Sequence, residues 1–164
     1  MPKSGRSIVI SIVDQKLSLF EQGVLIKRYD VSTALNGPGE QQNSGCTPRG
    51  RHRIRLKIGG DSPFGSVFVG RRPTGEIYNQ QLADQYPERD WILSRIIWLT
   101  GMEHGKNRGG AVDTLRRFIY IHGTPDTETM GIAKSHGCIR MHNEAVIELF
   151  DRVEVGNPVE IITP

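Results

Sequence analysis

Trp91-Ile92-Leu93-Ser94-Arg95-Ile96-Ile97-Trp98-Leu99 decides the fold class of this chain. Nearly every position is apolar, so no period stands out, and a buried helix and a buried strand compete for it. Composition separates them. Branched and aromatic side chains suit a pleated, buried surface, whereas in a helix branching at Cβ restricts χ1. The stretch therefore reads as an interior strand.

Working outward, the same signals recur on both sides. Residues 7–13 and 17–20 read as strands joined by a tight turn at Asp14-Gln15, and residues 24–32 resume the pattern after Gly23. Residues 51–58 alternate basic and apolar side chains, as on a half-exposed strand, and residues 67–69, 118–121 and 159–162 add shorter ones. Residues 82–86 suit a brief helix before Pro87. The polar, glycine-rich residues 101–110 read as a long loop. One helix is clear over residues 144–152. Asn143 suits its N-cap, Glu144 its first turn, and Val146, Ile147, Leu149, Phe150 and Val153 form one apolar stripe. The expectation is a mostly β fold, a β-sandwich or open barrel with one packed α-helix near the C-terminus, as a single domain over residues 1–164.

Charge and composition exclude several classes. The net charge is +3 and the basic residues are dispersed; nucleic-acid binding asks for a denser basic stripe with interleaved aromatics. The apolar run at residues 8–13 is too short to span a membrane and lacks a small-residue cleavage site behind it. The expected location is cytoplasmic if Met1 is the natural start and periplasmic if the chain was trimmed. The two cysteines, Cys46 and Cys138, are expected as free thiols.

The chemistry-bearing segment is Ser135-His136-Gly137-Cys138-Ile139-Arg140, preceded by Ile121-His122-Gly123. A structural cysteine usually sits among apolar residues; Cys138 sits among small and polar ones. A nucleophilic cysteine needs a base and donors for a developing oxyanion. His122, at the end of an apolar strand and ahead of a Gly123-Thr124-Pro125 turn, is the candidate base. The Gly123 carbonyl is the candidate group that orients its ring. The amides of His136, Gly137 and Cys138, in a turn expected just ahead of a helix, are candidate oxyanion donors, with His136 shaping that turn. Arg140 is placed to contact a substrate carboxylate, and Ser135 and Thr124 are further candidate substrate contacts. Zinc held by His104, His122, His136, Cys138 and His142 is the competing reading. No C-x-x-C or H-E-x-x-H spacing occurs, and His136-Gly137-Cys138 is too tight for chelation, so neither metal nor cofactor is expected. Cys46 has no activating neighbour.

At these residues the chain resembles the YkuD family of L,D-transpeptidases, in its ErfK/YbiS branch. Val31-Ser32-Thr33-Ala34, Thr47-Pro48-Arg49-Gly50, Phe68-Val69-Gly70-Arg71, Ile121-His122-Gly123 and residues 135–151 carry the resemblance. It implies a β-sandwich catalytic domain acting on peptidoglycan stem tetrapeptides or muropeptides. Cys138 would attack the L-centre carbonyl of meso-diaminopimelate and expel the terminal D-alanine, with His122 moving the proton. Carbapenems would acylate the same cysteine. Two departures stand out. The gap from His122 to Ser135 is a few residues shorter than usual, and Arg140 stands where the narrow motif has asparagine. The thioester can pass to water, making an L,D-carboxypeptidase, or to an amine, making a 3→3 cross-link or exchanging the terminal D-amino acid. Because no signal peptide is evident, hydrolysis in murein recycling is favoured, with residues 101–110 and the segment around Tyr86 walling out a bulky acceptor. From a different class, the same scaffold could serve as a non-catalytic muropeptide-binding module.

Overall fold

The computed structural model describes residues 3–164; Met1 and Pro2, which open the leading segment discussed above, lie outside the described residues. A meander of β1 (Arg6–Ser11), β2 (Lys16–Glu21) and β3 (Val24–Asp30) begins the chain. It is followed by β4 (Gly50–Ile58), β5 (Ser66–Val69), β6 (Arg72–Ile77) and the short α1 (Gln80–Gln85). Then come β7 (Ile92–Gly101), β8 (Tyr120–Thr124), β9 (Ile139–His142), α2 (Asn143–Arg152) and β10 (Pro158–Ile162). The strands form one sheet, ordered β3-β2-β1-β10-β4-β7-β5-β6, with β8 added to β7 and β9 added to β8. It curls on itself as half a barrel, the mostly β architecture the sequence implies.

The apolar stretch that decided the fold class is the hub of this sheet. β7 pairs antiparallel with β4, β5 and β8, and seven of its ten residues are buried. Its continuity is broken once. Ser94 adopts φ 70°, in the left-handed region, where the register against β8 shifts between Leu93 and Ile96. The bulge turns the Ser94 hydroxyl onto the Asn143 side chain, donating to Oδ1 at 2.6 Å.

That contact corrects the capping assignment. α2 begins at Asn143 itself, with His142 in the N-cap position and no side-chain cap. The Asn143 amide is buried instead and donates to the Thr124 carbonyl at 3.1 Å and to Asp126 Oδ1 at 3.2 Å. Tertiary partners outbid the local cap. Three further boundaries differ from expectation. β8 starts at Tyr120 and runs on through Gly123 and Thr124, so the turn expected there begins at Pro125, whose carbonyl accepts from Glu128 N. β9 lies between Cys138 and α2, so the amides at residues 136–138 precede a strand rather than a helix. β6, an exposed edge with little apolar alternation, carried no signal in its sequence.

β8 and β9 run parallel, with Ile121 beside Ile139 and His122 beside Arg140. Alternate residues of such a ladder point to opposite faces. Ile121, Ile139 and Met141 enter the main core with Val146, Leu149 and Phe150 of α2, while Tyr120 packs on the other face with Cys138, Trp98 and Ile96. One face is thus held by apolar burial, worth about 1.5–3 kcal/mol per fully buried large side chain, and the other is left to line a cleft.

Candidate active site

That cleft has a volume of about 300 Å³, and Tyr120, His122, Cys138 and Arg140 all reach it from the β8–β9 face. Gly70 and Arg71 at the β5–β6 turn, and Asp90 and Ile92 at the start of β7, complete its walls. The ladder therefore joins the two residues singled out for chemistry, although sixteen positions separate them in the chain.

His122 is buried, and its Nδ1 lies 2.7 Å from the Gly123 carbonyl oxygen. An acceptor there fixes the tautomer: Nδ1 carries the proton and donates, and Nε2 keeps its lone pair. Burial holds the imidazole below its ordinary titration range, with the Gly123 hydrogen bond and the Asp90 charge opposing and the Arg140 charge reinforcing. Gly123 must be glycine. A Cβ would collide with the Leu93 carbonyl oxygen and lie 2.6 Å from Asn143 Oδ1.

Cys138 is equally constrained. Its Sγ donates to the Phe118 carbonyl at 3.3 Å and accepts from Tyr120 N–H at 3.3 Å. Burial pushes the thiol up to about 12. At rest the site therefore holds a neutral thiol and a neutral imidazole, the combination in which a base can take the proton as the sulfur attacks. Phe118 aims its carbonyl at the sulfur from φ 57°, a left-handed conformation.

The turn ahead of Cys138 is braced from two directions. Ser135, buried, accepts from Gly137 N at 3.2 Å and donates to the Cys138 carbonyl at 2.6 Å. Its hydroxyl is spent inside the turn rather than offered to a ligand, and the Gly137 amide is spent on it. Gly137 adopts φ 136°, and Thr47 donates to its carbonyl at 2.9 Å. His136 is exposed and lines the cleft on one side and a second cleft of about 390 Å³ on the other. Thr124 is buried on β8 beyond Gly123 and is not among the cleft-lining residues.

Arg71, Arg117 and Asp90 also reach the cleft, and none of them is singled out as a site residue by the sequence. Arg71 donates to the Tyr120 hydroxyl at 3.2 Å and stacks over the Trp98 and Phe118 rings at 5.0 and 4.9 Å. Arg117 ties down the segment from Gly39 to Cys46 through the carbonyls of Gly39, Glu40 and Cys46. Asp90 pairs with Arg140 at 3.2 Å. Each owes its position to strand order, which a linear reading does not carry. The wall expected from residues 101–110 is absent from the cleft; that loop is tied to β4 instead, through Glu103 and Asn107. The segment after Tyr86 does arrive, through Asp90. Both cysteines are free, and among the described residues no three His, Cys, Asp or Glu side chains converge as a metal site would require.

The family model described as the L,D-transpeptidase catalytic domain, YkuD, matches residues 5–161. YqjB of Bacillus subtilis is 49% identical over 45 residues, covering 27% of this chain and 26% of that protein. YkuD of the same organism is 54% identical over 41 residues, 25% of each. Among solved structures, an L,D-transpeptidase from Mycobacterium smegmatis superposes with a TM-score of 0.60 at 19% identity, covering 97% of this chain and 59% of that one. L,D-transpeptidase 3 from Mycobacterium tuberculosis, in complex with a faropenem-derived adduct, gives 0.57 at 17% identity, with 96% and 60% covered. At those identities the superpositions establish the fold. The matched stretches span about a quarter of the curated relatives, and the chain spans about three-fifths of the solved ones.

Proposed function

This chain belongs to the YkuD family of L,D-transpeptidase catalytic domains, and from that premise we propose a cysteine acyl-transfer enzyme acting on peptidoglycan stem tetrapeptides at the meso-diaminopimelate–D-alanine bond. The observation that carries this reading is the convergence of Cys138 and His122 on one cleft, with the Gly123 carbonyl holding the imidazole proton on Nδ1.

In this mechanism the substrate carbonyl enters the cleft and Cys138 Sγ leaves the Phe118 carbonyl to attack it. Nε2 of His122 takes the thiol proton as the carbon–sulfur bond forms. The amides of His136 and Cys138 receive the oxyanion, because the Gly137 amide is already committed to Ser135. Collapse breaks the carbon–nitrogen bond, and the imidazolium returns the proton to the departing D-alanine amine. Neutral partners suit this sequence: the charges appear in the transition state, where fixed dipoles are most effective.

Water then discharges the thioester, giving a tripeptide and completing a carboxypeptidase cycle. A cleft of about 300 Å³ supports this, since the donor's own third residue and leaving group occupy most of such a space. A second reading, discharge to the amine of another stem peptide, is favoured by the adjoining cleft of about 390 Å³, which shares Arg117, Phe118, Ile119 and His136 with the first. Carbapenems are proposed to acylate Cys138, as expected of a thiol that accepts strained acyl donors; solved relatives carry imipenem and a faropenem-derived adduct.

Incubation with a murein tetrapeptide, followed by mass spectrometry, separates these outcomes. Free D-alanine with tripeptide supports the carboxypeptidase, and a product joining two stem peptides supports the transpeptidase. Unchanged substrate that still binds identifies a non-catalytic module. Full turnover by Cys138→Ala would remove the thioester mechanism.

A further inference from the structure

Among the cleft-lining described residues Asp90 is the one carboxylate, and it faces an otherwise cationic wall. Two of the three arginines there are already engaged. Arg117 is bonded to loop carbonyls, and Arg71 is stacked on two rings and bonded to Tyr120. Arg140 is held by a single contact, Nη2 to Asp90 Oδ1 at 3.2 Å, and the Asp90 side chain is 52% exposed. One oxygen of the carboxylate and the remaining N–H groups of the guanidinium are left for a ligand. An anion and a cation side by side, each half used, match a group that itself carries an ammonium and a carboxylate on one carbon.

We propose that Asp90 and Arg140 form a subsite for the zwitterionic D-centre of meso-diaminopimelate, Asp90 taking its ammonium and Arg140 its carboxylate. The assignment rests on the acyl-transfer reading above and names what selects the donor. Spacing supports it. Arg140 follows Cys138 by two residues, with Ile139 opening β9 between them, so the two Cα atoms lie at most roughly 7 Å apart, and both side chains line the cleft. In meso-diaminopimelate four carbon–carbon bonds of about 1.5 Å each separate the two α-carbons, a span of about 5 Å when extended. A peptide whose L-centre carbonyl lies at Cys138 Sγ therefore delivers its D-centre beside Arg140 and Asp90. Lysine at the same position offers Asp90 an ammonium but gives Arg140 nothing. Norleucine offers neither.

The test compares D-alanine release from three tetrapeptides carrying meso-diaminopimelate, L-lysine or L-norleucine at the third position, using the wild type, Asp90→Asn and Arg140→Gln. The wild type is expected to prefer meso-diaminopimelate over lysine in kcat/KM by about tenfold or more, the scale of one charge-assisted contact. Arg140→Gln should erase that preference through KM, the meso-diaminopimelate peptide losing about tenfold more than the lysine peptide. Asp90→Asn should lower kcat/KM for both of these peptides several-fold more than for norleucine, whose turnover registers only the lost Asp90 charge beside His122. An equal loss on norleucine would overturn the subsite, because the pair would then be acting on Cys138 or His122 rather than on the substrate. Equal wild-type turnover of all three peptides would also overturn it while leaving the acyl-transfer reaction intact. No release from any of them would overturn both.

Discussion

Thr47 Oγ1 and the Gly137 carbonyl, ninety positions apart in the chain, share a buried hydrogen bond of 2.9 Å, and the same hydroxyl accepts from Ala34 N at 3.0 Å. The long segment between β3 and β4 thereby holds the turn that presents Cys138. Replacing Thr47 with valine keeps the shape but leaves a buried carbonyl and a buried amide without partners. The expected cost is about 1–3 kcal/mol of folding stability. D-alanine release should fall in parallel, and Thr47→Ser should recover both. A Thr47→Val protein with unchanged melting temperature and unchanged turnover would show that the bond does not hold the turn.

Activity should persist well to the acid side of the usual histidine range. His122 is held below its ordinary value by burial, so it stays neutral and able to accept a proton at pH values where an exposed histidine is charged. The acid limb of kcat/KM for D-alanine release is expected below 6.5, the ordinary imidazole value. A midpoint at or above that value would contradict the buried base. Cys138, pushed up to about 12, should be alkylated slowly by iodoacetamide at neutral pH. Its rate should keep climbing past the ordinary thiol range without levelling.

His52 makes a separate contribution to stability. It is buried on β4, with Nδ1 at 3.0 Å from the Gly50 carbonyl and Nε2 at 2.9 Å from Thr114 Oγ1, and burial lowers its value from 6.5 to about 4. The unfolded chain takes up this proton more readily than the folded one. Stability from this group is therefore complete above 6.5 and is lost as pH falls toward 4. The full loss corresponds to about 3 kcal/mol. Melting temperatures between neutral pH and pH 4 should fall less steeply in His52→Gln than in the wild type, and parallel slopes would assign the acid sensitivity elsewhere.

Gly123→Ala should damage the site without touching either reactive atom. The new methyl has no space between the Leu93 carbonyl and Asn143 Oδ1, so the strand end must move and carry the His122 acceptor with it. A shift on the order of 1 Å at the base is expected to reduce kcat about 100-fold. Overpacking adds roughly 1–3 kcal/mol of destabilisation. Full activity in a folded Gly123→Ala protein would show that the imidazole does not depend on this carbonyl for its orientation.

Local chemistry made much of this molecule readable in advance. Branched and aromatic content placed β7 correctly although its periodicity was silent, and the apolar stripe of residues 146–153 located α2. Cys138 and His122 stood out as candidates because of their glycine-containing surroundings, and the fold brings both to one cleft. Where a tertiary partner overrides a local preference, the sequence misleads. Asn143 has the side chain of an N-cap, yet Ser94, Thr124 and Asp126 claim it. β9 is four residues long and merges in pattern with the helix that follows it. Asp90 and Arg117 join the cleft from remote positions with no motif around them, Arg71 comes from a stretch whose resemblance assigns it no role, and only the strand order brings the three together.

Because β8 and β9 travel side by side in one direction, the separation of sulfur and imidazole is set by rungs of backbone rather than by the crossover linking them. That crossover, residues 125–134, is tied instead to the segment after β3, Gly131 N donating to the Val31 carbonyl and Lys134 N to the Thr33 carbonyl, each at 2.9 Å. Its length can therefore change without disturbing the geometry on which bond-making depends, because neither reactive group hangs from it.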